Sequence, residues 1–253
     1  MQEKQEKLPI HKGVYILPNL FTTASLFTGF MAIIWAAEGN FELSAMGILF
    51  SALMDGLDGK VARLTRTASE FGVQYDSLAD LAAFGIAPGF MIYSWLLHDV
   101  GRFGSTAAFL FATCSALRLA RFNVAAAAGA SKKFFIGMPT PAAGCTLATL
   151  ALFVPYLPDF MQGVVPGFAL VLTILLGFLM VSRVRYYAFK EFGFITGHKF
   201  SSMVTAILFF VLIRSAPKLL RFLVFFGYLV AGLVYTYIIL PKRAHLPLVK
   251  MMP

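Results

Sequence analysis

Charged side chains are scarce in this sequence of 253 residues, where Asp, Glu, Lys and Arg together make up 13%. Soluble domains carry about a quarter charged residues, so a water-exposed globular surface along the whole chain is excluded. Hydrophobic residues make up 59% of the sequence, and the mean hydropathy is +0.78. These values indicate that lipid is the solvent for most of the side chains.

Cysteine is scarce as well, because Cys114 and Cys145 are the two in the chain. Both fall within apolar stretches, where a small buried hydrophobic residue is the simplest interpretation. Two isolated cysteines give neither a disulfide framework nor the ligand spacing of a zinc site. We therefore expect no disulfide and no metal held by cysteine.

Long apolar runs alternate with short polar connections along the chain. A helix crosses a bilayer with about 20 apolar residues, and backbone groups in hydrocarbon must be satisfied inside a helix or a closed barrel. The runs are continuous rather than alternating, which favours helices. The sequence therefore predicts an all-α, polytopic membrane protein with about eight transmembrane helices, roughly at residues 16–38, 41–63, 79–97, 104–123, 139–158, 163–182, 200–217 and 220–240.

No repeat, low-complexity segment or interdomain linker interrupts this pattern, so we expect a single membrane domain over residues 1–253. The last two predicted helices, at about 200–240, carry few polar residues and look like an added pair. Without a repeat, the sequence gives little support to a transporter built from inverted halves. A non-enzymatic transporter remains a remote alternative.

Lys and Arg are distributed unevenly between the two sides of the predicted topology. Seventeen of the 21 fall in connections on one side, and such connections are typical of the cytoplasmic face. We therefore expect a multi-pass protein of the cell (inner) membrane with both termini in the cytoplasm. The basic rim, which accounts for most of the net charge of +9, suits anionic lipid. Its scatter over several connections argues against a nucleic-acid partner.

Four aspartates interrupt the apolar pattern within residues 55–80, on the predicted cytoplasmic side. Asp55 and Asp58 are three residues apart, and Asp76 and Asp80 are four apart. Residues at these spacings lie on the same face of a helix. Each pair is therefore expected to present both of its carboxylates in one direction.

The segment Thr67-Ala-Ser-Glu70 has the form of a capping box, which marks the start of a helix. It predicts a helix that begins near residue 68 and carries the second aspartate pair. Two antiparallel helices joined by residues 64–67 would bring the two pairs face to face.

Four carboxylates in such proximity repel one another unless cations neutralise them. Hard oxygen ligands select Mg²⁺ or Mn²⁺, and two such ions are natural between carboxylates and a substrate phosphate. Arg63, with Lys60 and Arg66, supplies positive charge for the same anion. The sequence therefore predicts a site for two divalent cations and a phosphate-bearing substrate. The alternative is a solvated helix end with ordinary salt bridges.

The pattern Asp55-x2-Asp58-Gly59-x2-Ala62-Arg63-x8-Gly72-x3-Asp76-x3-Asp80 resembles the complete signature of the CDP-alcohol phosphotransferase family. Enzymes of that family move a phospho-group from a CDP-linked donor to an alcohol and release CMP. The resemblance covers roughly residues 15–185, which implies a six-helix catalytic core followed by the pair at about 200–240. It also implies a homodimer.

The resemblance implies roles for individual residues. Asp55, Asp58 and Asp76 correspond to ligands of the first metal ion, Asp76 and Asp80 help to hold the second, and Asp80 corresponds to the general base. The residues that would contact the CDP-linked donor are Asn19, Thr22, Gly59, Ala62, Arg63, Ser69 and Gly72. One position departs from the family pattern, because Ser25 stands where the resemblance leads us to expect Asn.

Three further stretches resemble the membrane-integral phosphatidylserine synthases of that family. They are DSLADLAAFGIAPG at 76–89, SALRLARFNV at 115–124 and GMPTPAA at 137–143. This resemblance implies CDP-diacylglycerol as the donor, with two acyl chains in the membrane lipid, and L-serine as the acceptor.

The residues themselves are compatible with serine. Arg118 and Arg121 are three apart at the predicted cytoplasmic end of the fourth helix, and a guanidinium pairs bidentately with a carboxylate. Asn123 is expected to accept a hydrogen bond from the serine ammonium. Two alternatives stay open: the arginines anchor the helix at the membrane surface, or the acceptor carries a phosphate, as glycerol 3-phosphate and inositol phosphate do.

Overall fold

The computed structural model describes residues 16–65, 69–127, 134–187 and 218–234. Nine α-helices and two short strands lie within these ranges. The helices are α1 Ile16–Ala37, α2 Phe41–Thr65, α3 Glu70–Asp80, α4 Ala87–Ile92, α5 Arg102–Ala127, α6 Thr140–Phe153, α7 Asp159–Gln162, α8 Val165–Val181 and α9 Lys218–Val234, and the strands are β1 Phe134–Ile136 and β2 Arg185–Tyr187.

The predicted all-helical membrane architecture is confirmed in its main features. Three helical stretches of the described residues are long and apolar enough to cross a membrane, namely Pro18–Ala37, Glu70–Val100 and Arg102–Ala127. Two shorter apolar helices follow, Thr140–Tyr156 and Val165–Val181. The number of eight spans stays a prediction, and the seventh predicted span, at 200–217, lies outside the described residues.

The helix α2 is long enough to cross the membrane as well, because its 25 residues extend over about 37 Å. It differs from the three apolar stretches in carrying Asp55 and Asp58 in its second half. Its length and its charges together bring a carboxylate pair to one end of the helical bundle.

The all-α prediction omitted one feature, a short antiparallel pairing of β1 with β2. Phe134 pairs with Tyr187 and Ile136 with Arg185. Strands of three residues lie within connections between helices, where no alternating pattern is long enough to mark them. Their pairing joins two distant connections at the same end of the bundle.

A tight turn makes α1 and α2 antiparallel partners along most of their length. Gly39 has a φ of 79°, and its N–H donates to the carbonyl of Ala36 while that of Asn40 donates to Trp35. Glycine adopts this left-handed conformation without a steric penalty. The turn places the start of α1 beside the end of α2, where the aspartates lie.

The second apolar stretch, Glu70–Val100, is continuous but irregular, with π-helical geometry over Leu81–Ile86 and Tyr93–Leu97. Such π segments inside α-helices are frequently found at functional sites. Small residues of neighbouring helices contact the first segment closely. A Cβ added to Gly29 of α1 would lie 2.7 Å from the Ala83 Cα, and one added to Gly144 of α6 would lie 2.9 Å from the Phe84 carbonyl oxygen.

The last described helix, α9, packs against this core. The Phe222 ring stacks on Phe153 at the end of α6 with 5.4 Å between centroids, and Leu229 is buried. The eighth predicted span, at 220–240, therefore corresponds to a helix that packs against the rest of the bundle.

We expect Gly29→Ala to lower the stability of the protein by about 1–3 kcal/mol, because the new methyl group overpacks α1 against the backbone of the π segment. The matched control is Gly167→Ala in α8, where an added Cβ meets no atom of the described residues within 4 Å. Thermal unfolding of both variants in detergent measures the difference. Equal transition temperatures for the two variants would contradict this packing.

Candidate active site

The four aspartates predicted from the sequence come together between α2 and the stretch that begins with α3. Asp55, Asp76 and Asp80 each offer one carboxylate oxygen, and these three atoms lie within 4.8 Å of one another. Asp55 and Asp80 face each other at hydrogen-bonding range, as do Asp58 and Asp76. The predicted face-to-face arrangement of the two pairs is therefore confirmed.

This donor set fits a divalent cation. The three grouped ligand atoms are all carboxylate oxygens, the donor type that Mg²⁺ and Mn²⁺ prefer. The Asp58 side chain is 6% exposed, and the other three are half-buried. Close carboxylates in such surroundings repel strongly, and a bound cation removes that repulsion.

The helix α1 contributes a direct contact to this cluster. Thr22 is buried, and its hydroxyl donates to Oδ2 of Asp58 over 2.8 Å. Asn19 lies one turn earlier, and its Oδ1 would be 3.7 Å from a Cβ added to Gly72. Of the residues predicted to bind the donor, Thr22 thus contacts a carboxylate and Asn19 lies beside Gly72 at the start of α3.

The start of α3 differs from the predicted capping box. The N-cap is Ser69, whose Oγ accepts a hydrogen bond from the Gly72 N–H over 3.0 Å, and the helix begins at Glu70 rather than near residue 68. Ser and Thr are both good N-caps, so two candidates two residues apart gave an ambiguous signal. Thr67 lies outside the described residues.

The remaining residues predicted to bind the donor are in α2. Gly59 follows Asp58 directly and is half-buried. Ala62 and Arg63 belong to the same helix, but their side chains lie outside the described part of the protein. The backbone alone places them about two turns beyond Asp55, toward the end of α2.

A buried cation lies next to the carboxylates. Arg118 of α5 is 7% exposed and within electrostatic range of Asp80. Its Nη1 donates to the Thr140 hydroxyl over 3.0 Å. Its Nε–H is buried and has no hydrogen-bond partner among the described residues. An unpaired buried donor is costly, so this N–H is suited to an anionic ligand.

The other two residues predicted to bind serine have different surroundings. Arg121 is exposed and donates to backbone carbonyls that include those of Ile136 and Val181, over 2.8 and 2.9 Å. The Nδ2 of Asn123 donates to Gln74 and Ser77 of α3, over 3.0 Å each. Both side chains therefore connect α5 to neighbouring segments. Among the described residues, Arg118 is the one of the three whose charge interacts with an aspartate of the cluster, Asp80.

Sequence reasoning missed Thr140 and Ser77 as neighbours of the candidate site. Thr140 belongs to the stretch GMPTPAA and Ser77 to DSLADLAAFGIAPG, two of the stretches that resemble phosphatidylserine synthases. Their partners are 22 and 46 residues away in the sequence, and local spacing carries no information about such contacts.

Comparison with known proteins agrees with this geometry. The sequence profile of CDP-alcohol phosphatidyltransferases matches residues 15–179, which include all four aspartates and Arg118. The chain belongs to the CDP-alcohol phosphatidyltransferase family. Members of this family use a divalent metal ion, in agreement with the oxygen-only donor set.

Several relatives in this family carry the same name. A CDP-diacylglycerol–serine O-phosphatidyltransferase of Helicobacter pylori is 39% identical over 229 residues, which are 90% of this chain and 93% of the relative. Proteins of that name from Methanocaldococcus jannaschii and Bacillus subtilis are 32% and 31% identical, each over 69% of this chain and over 75% and 92% of their own lengths.

We expect Asp55→Asn and Asp76→Asn to abolish turnover, because each removes a charged oxygen ligand from the cluster. Asp99→Asn is the matched control, since the Asp99 side chain is 98% exposed. CMP release from purified protein, with and without chelator and added Mg²⁺ or Mn²⁺, measures the effect. Full activity of the unmodified protein in excess chelator would exclude metal dependence.

Proposed function

We propose that this protein transfers the phosphatidyl group of CDP-diacylglycerol to the hydroxyl of L-serine, forming phosphatidylserine and releasing CMP. Membership of the CDP-alcohol phosphatidyltransferase family supports the reaction type. The names of the relatives, one of which matches 90% of the chain, support serine as the acceptor.

The observation that carries the serine assignment is the buried guanidinium of Arg118 beside Asp80. Its unpaired Nε–H and its Nη groups match the planar geometry of a carboxylate. A serine carboxylate bound there would bring the serine hydroxyl toward the aspartates. The Asn123 carbonyl oxygen keeps a lone pair for the serine ammonium. Arg121 is the weaker candidate, because it already donates to backbone carbonyls.

The reaction requires one proton transfer and one exchange at phosphorus. Asp80 accepts the proton of the serine hydroxyl, whose oxygen then forms a bond to the lipid-side phosphorus of the donor. The bond from that phosphorus to the bridging oxygen breaks, and this oxygen leaves with CMP. Two divalent cations, Mg²⁺ or Mn²⁺, held by Asp55, Asp58, Asp76 and Asp80 would neutralise the diphosphate and the leaving phosphate.

The donor site in this proposal lies between the start of α1, the second half of α2 and the start of α3. The residues proposed to surround the donor are Asn19 and Thr22 of α1, Gly59, Ala62 and Arg63 of α2, and Ser69 and Gly72 at the start of α3. The absence of a side chain at Gly72 leaves space beside Asn19. The two acyl chains of the donor would extend into the surrounding lipid.

We also infer the setting of this site. The distribution of Lys and Arg supports an inner-membrane protein with both termini and the active site on the cytoplasmic side, where soluble serine meets the lipid donor. We further propose that residues 1–253 form a single domain with a catalytic core of about 15–185. We also propose that the protein is a homodimer.

We expect serine to support CMP release from CDP-diacylglycerol far better than glycerol 3-phosphate, inositol or inositol phosphate. The reason is that one buried guanidinium next to Asp80 suits a carboxylate. Inositol has no carboxylate, and a phosphate needs more positive charge. CMP release by the purified protein across the four acceptors is the measurement. Faster release with glycerol 3-phosphate or inositol phosphate would replace serine by a phosphate-bearing acceptor.

We expect Arg118→Ala to raise the serine concentration needed for half-maximal rate about ten- to hundredfold, since a hydrogen bond to a charged group contributes roughly 1.5–3 kcal/mol. The donor concentration needed for half-maximal rate should stay nearly unchanged. Asp80→Asn should instead retain both substrates and lose most of the chemical step. A loss of donor binding in Arg118→Ala would assign the guanidinium to CDP-diacylglycerol.

A further inference from the structure

Arg121 forms a network of hydrogen bonds with the end of α8. Its Nη1 donates to the Val181 carbonyl over 2.9 Å, and its Nη2 lies 3.3 Å from the Ser182 carbonyl and 3.5 Å from that of Met180. The last carbonyls of a helix have no partner within the helix, and a cation there interacts favourably with the helix dipole. Arg121 therefore caps the C-terminus of α8.

The same guanidinium holds the segment 136–140, because Nη2 also donates to the Ile136 carbonyl over 2.8 Å. Two backbone hydrogen bonds fix this segment further, from Gly137 N–H to Val184 over 2.8 Å and from Met138 N–H to Leu179 over 3.0 Å. The segment is thus attached to the end of α8 on both sides of Gly137.

Gly137 shows how closely these groups fit. Its φ is 82°, a conformation that side chains other than glycine rarely adopt. A Cβ there would collide with the Met180 carbonyl oxygen and lie 2.9 Å from the Arg121 Nη2. The guanidinium, the end of α8 and the segment 136–140 are therefore in direct contact.

The segment ends at Thr140, whose hydroxyl accepts the hydrogen bond from Arg118. Thr140 is fully buried, and only Met138 and Pro139 separate it from Gly137. The position of this hydroxyl, and with it the direction of the Arg118 guanidinium, depends on where the segment 136–140 is held.

We propose that Arg121 is a positioning residue: it holds the segment 136–140 against α8 so that Thr140 orients Arg118 toward Asp80 for the acceptor. This inference rests on the proposed use of Arg118 for the acceptor. It assigns to Arg121 a role without direct contact to serine, in agreement with its exposed guanidinium bound to carbonyl oxygens.

The test is a double-mutant cycle of Arg121→Lys and Thr140→Val, measured as CMP release by the full protein in lipid nanodiscs. Lysine keeps the charge but not the planar fork that reaches several carbonyls. Each single variant should raise the half-saturating serine concentration about tenfold, with the maximal rate changed less than about threefold and donor affinity unchanged. The double variant should be no worse than either single variant, because both break the same chain of contacts.

Two controls separate positioning from general damage. Arg183→Lys changes an exposed arginine in the same region whose side chain has no hydrogen-bond partner among the described residues, and it should leave serine affinity unchanged. Thr140→Ser keeps the hydroxyl and should retain normal serine affinity. If Arg121→Lys does not fold, Arg121→Gln, which keeps a planar NH₂ donor, takes its place in the cycle.

Additive effects in the cycle would overturn this inference, because they indicate that Arg121 contacts the acceptor independently of Thr140. So would a lower melting temperature and maximal rate with unchanged serine affinity, which indicates a structural role alone. Faster CMP release from the unmodified protein with a phosphate-bearing acceptor overturns the serine assignment instead, and the cycle is then read with that acceptor. Equally fast release with and without an added acceptor would overturn both, because water would then be the acceptor.

Discussion

Electrostatic repulsion among four aspartates is the constraint on which this structure depends. One turn of α2 and one turn of α3 bring Asp55, Asp58, Asp76 and Asp80 together in partly buried surroundings. Bringing four negative charges together costs free energy in water, and it costs more at a membrane face, where the charges are less well solvated. The surrounding contacts hold it in place: the turn at Gly39 aligns α1 with α2, and the Thr22 hydroxyl donates to Asp58.

The same constraint links the site to its substrates. Divalent cations bound there would neutralise the carboxylates and also the diphosphate of the donor. The same ions would therefore stabilise the folded protein and bind the substrate. The acceptor requires a different device, because a carboxylate must be bound close to other carboxylates without being repelled. The Arg118 guanidinium supplies positive charge for that carboxylate close to the cluster. It lies near Asp80 and donates a hydrogen bond to Thr140. Its direction is set through the contacts of α5, α6 and α8 rather than by α2 and α3.

Much of the carboxylate cluster was predictable from the sequence, because helical periodicity alone places residues three or four apart on one face. The contacts from other helices were not, since Thr22 and Asp58 are 36 residues apart and Arg121 reaches carbonyls 59–61 residues away in α8 and just beyond it. Apolar runs located the three stretches of the described residues that are long and apolar enough to cross a membrane. They gave no sign of the π segment over Leu81–Ile86, because its sequence is as apolar as that of a regular helix. The capping box predicted the N-cap at Thr67, whereas the structure has it at Ser69. The sequence did not distinguish them because two equivalent capping residues lie two positions apart.

Direct measurement of metal binding tests the central claim, that these carboxylates are held together to bind divalent cations at the donor diphosphate. Electron paramagnetic resonance of the purified protein, titrated with Mn²⁺ in the presence and absence of CDP-diacylglycerol, reports the bound ions without reliance on turnover. The account predicts two bound Mn²⁺ per chain with the donor present, and loss of this binding when Asp55, Asp58, Asp76 and Asp80 are all replaced by Asn. Equal Mn²⁺ binding by the unmodified protein and this variant would contradict it.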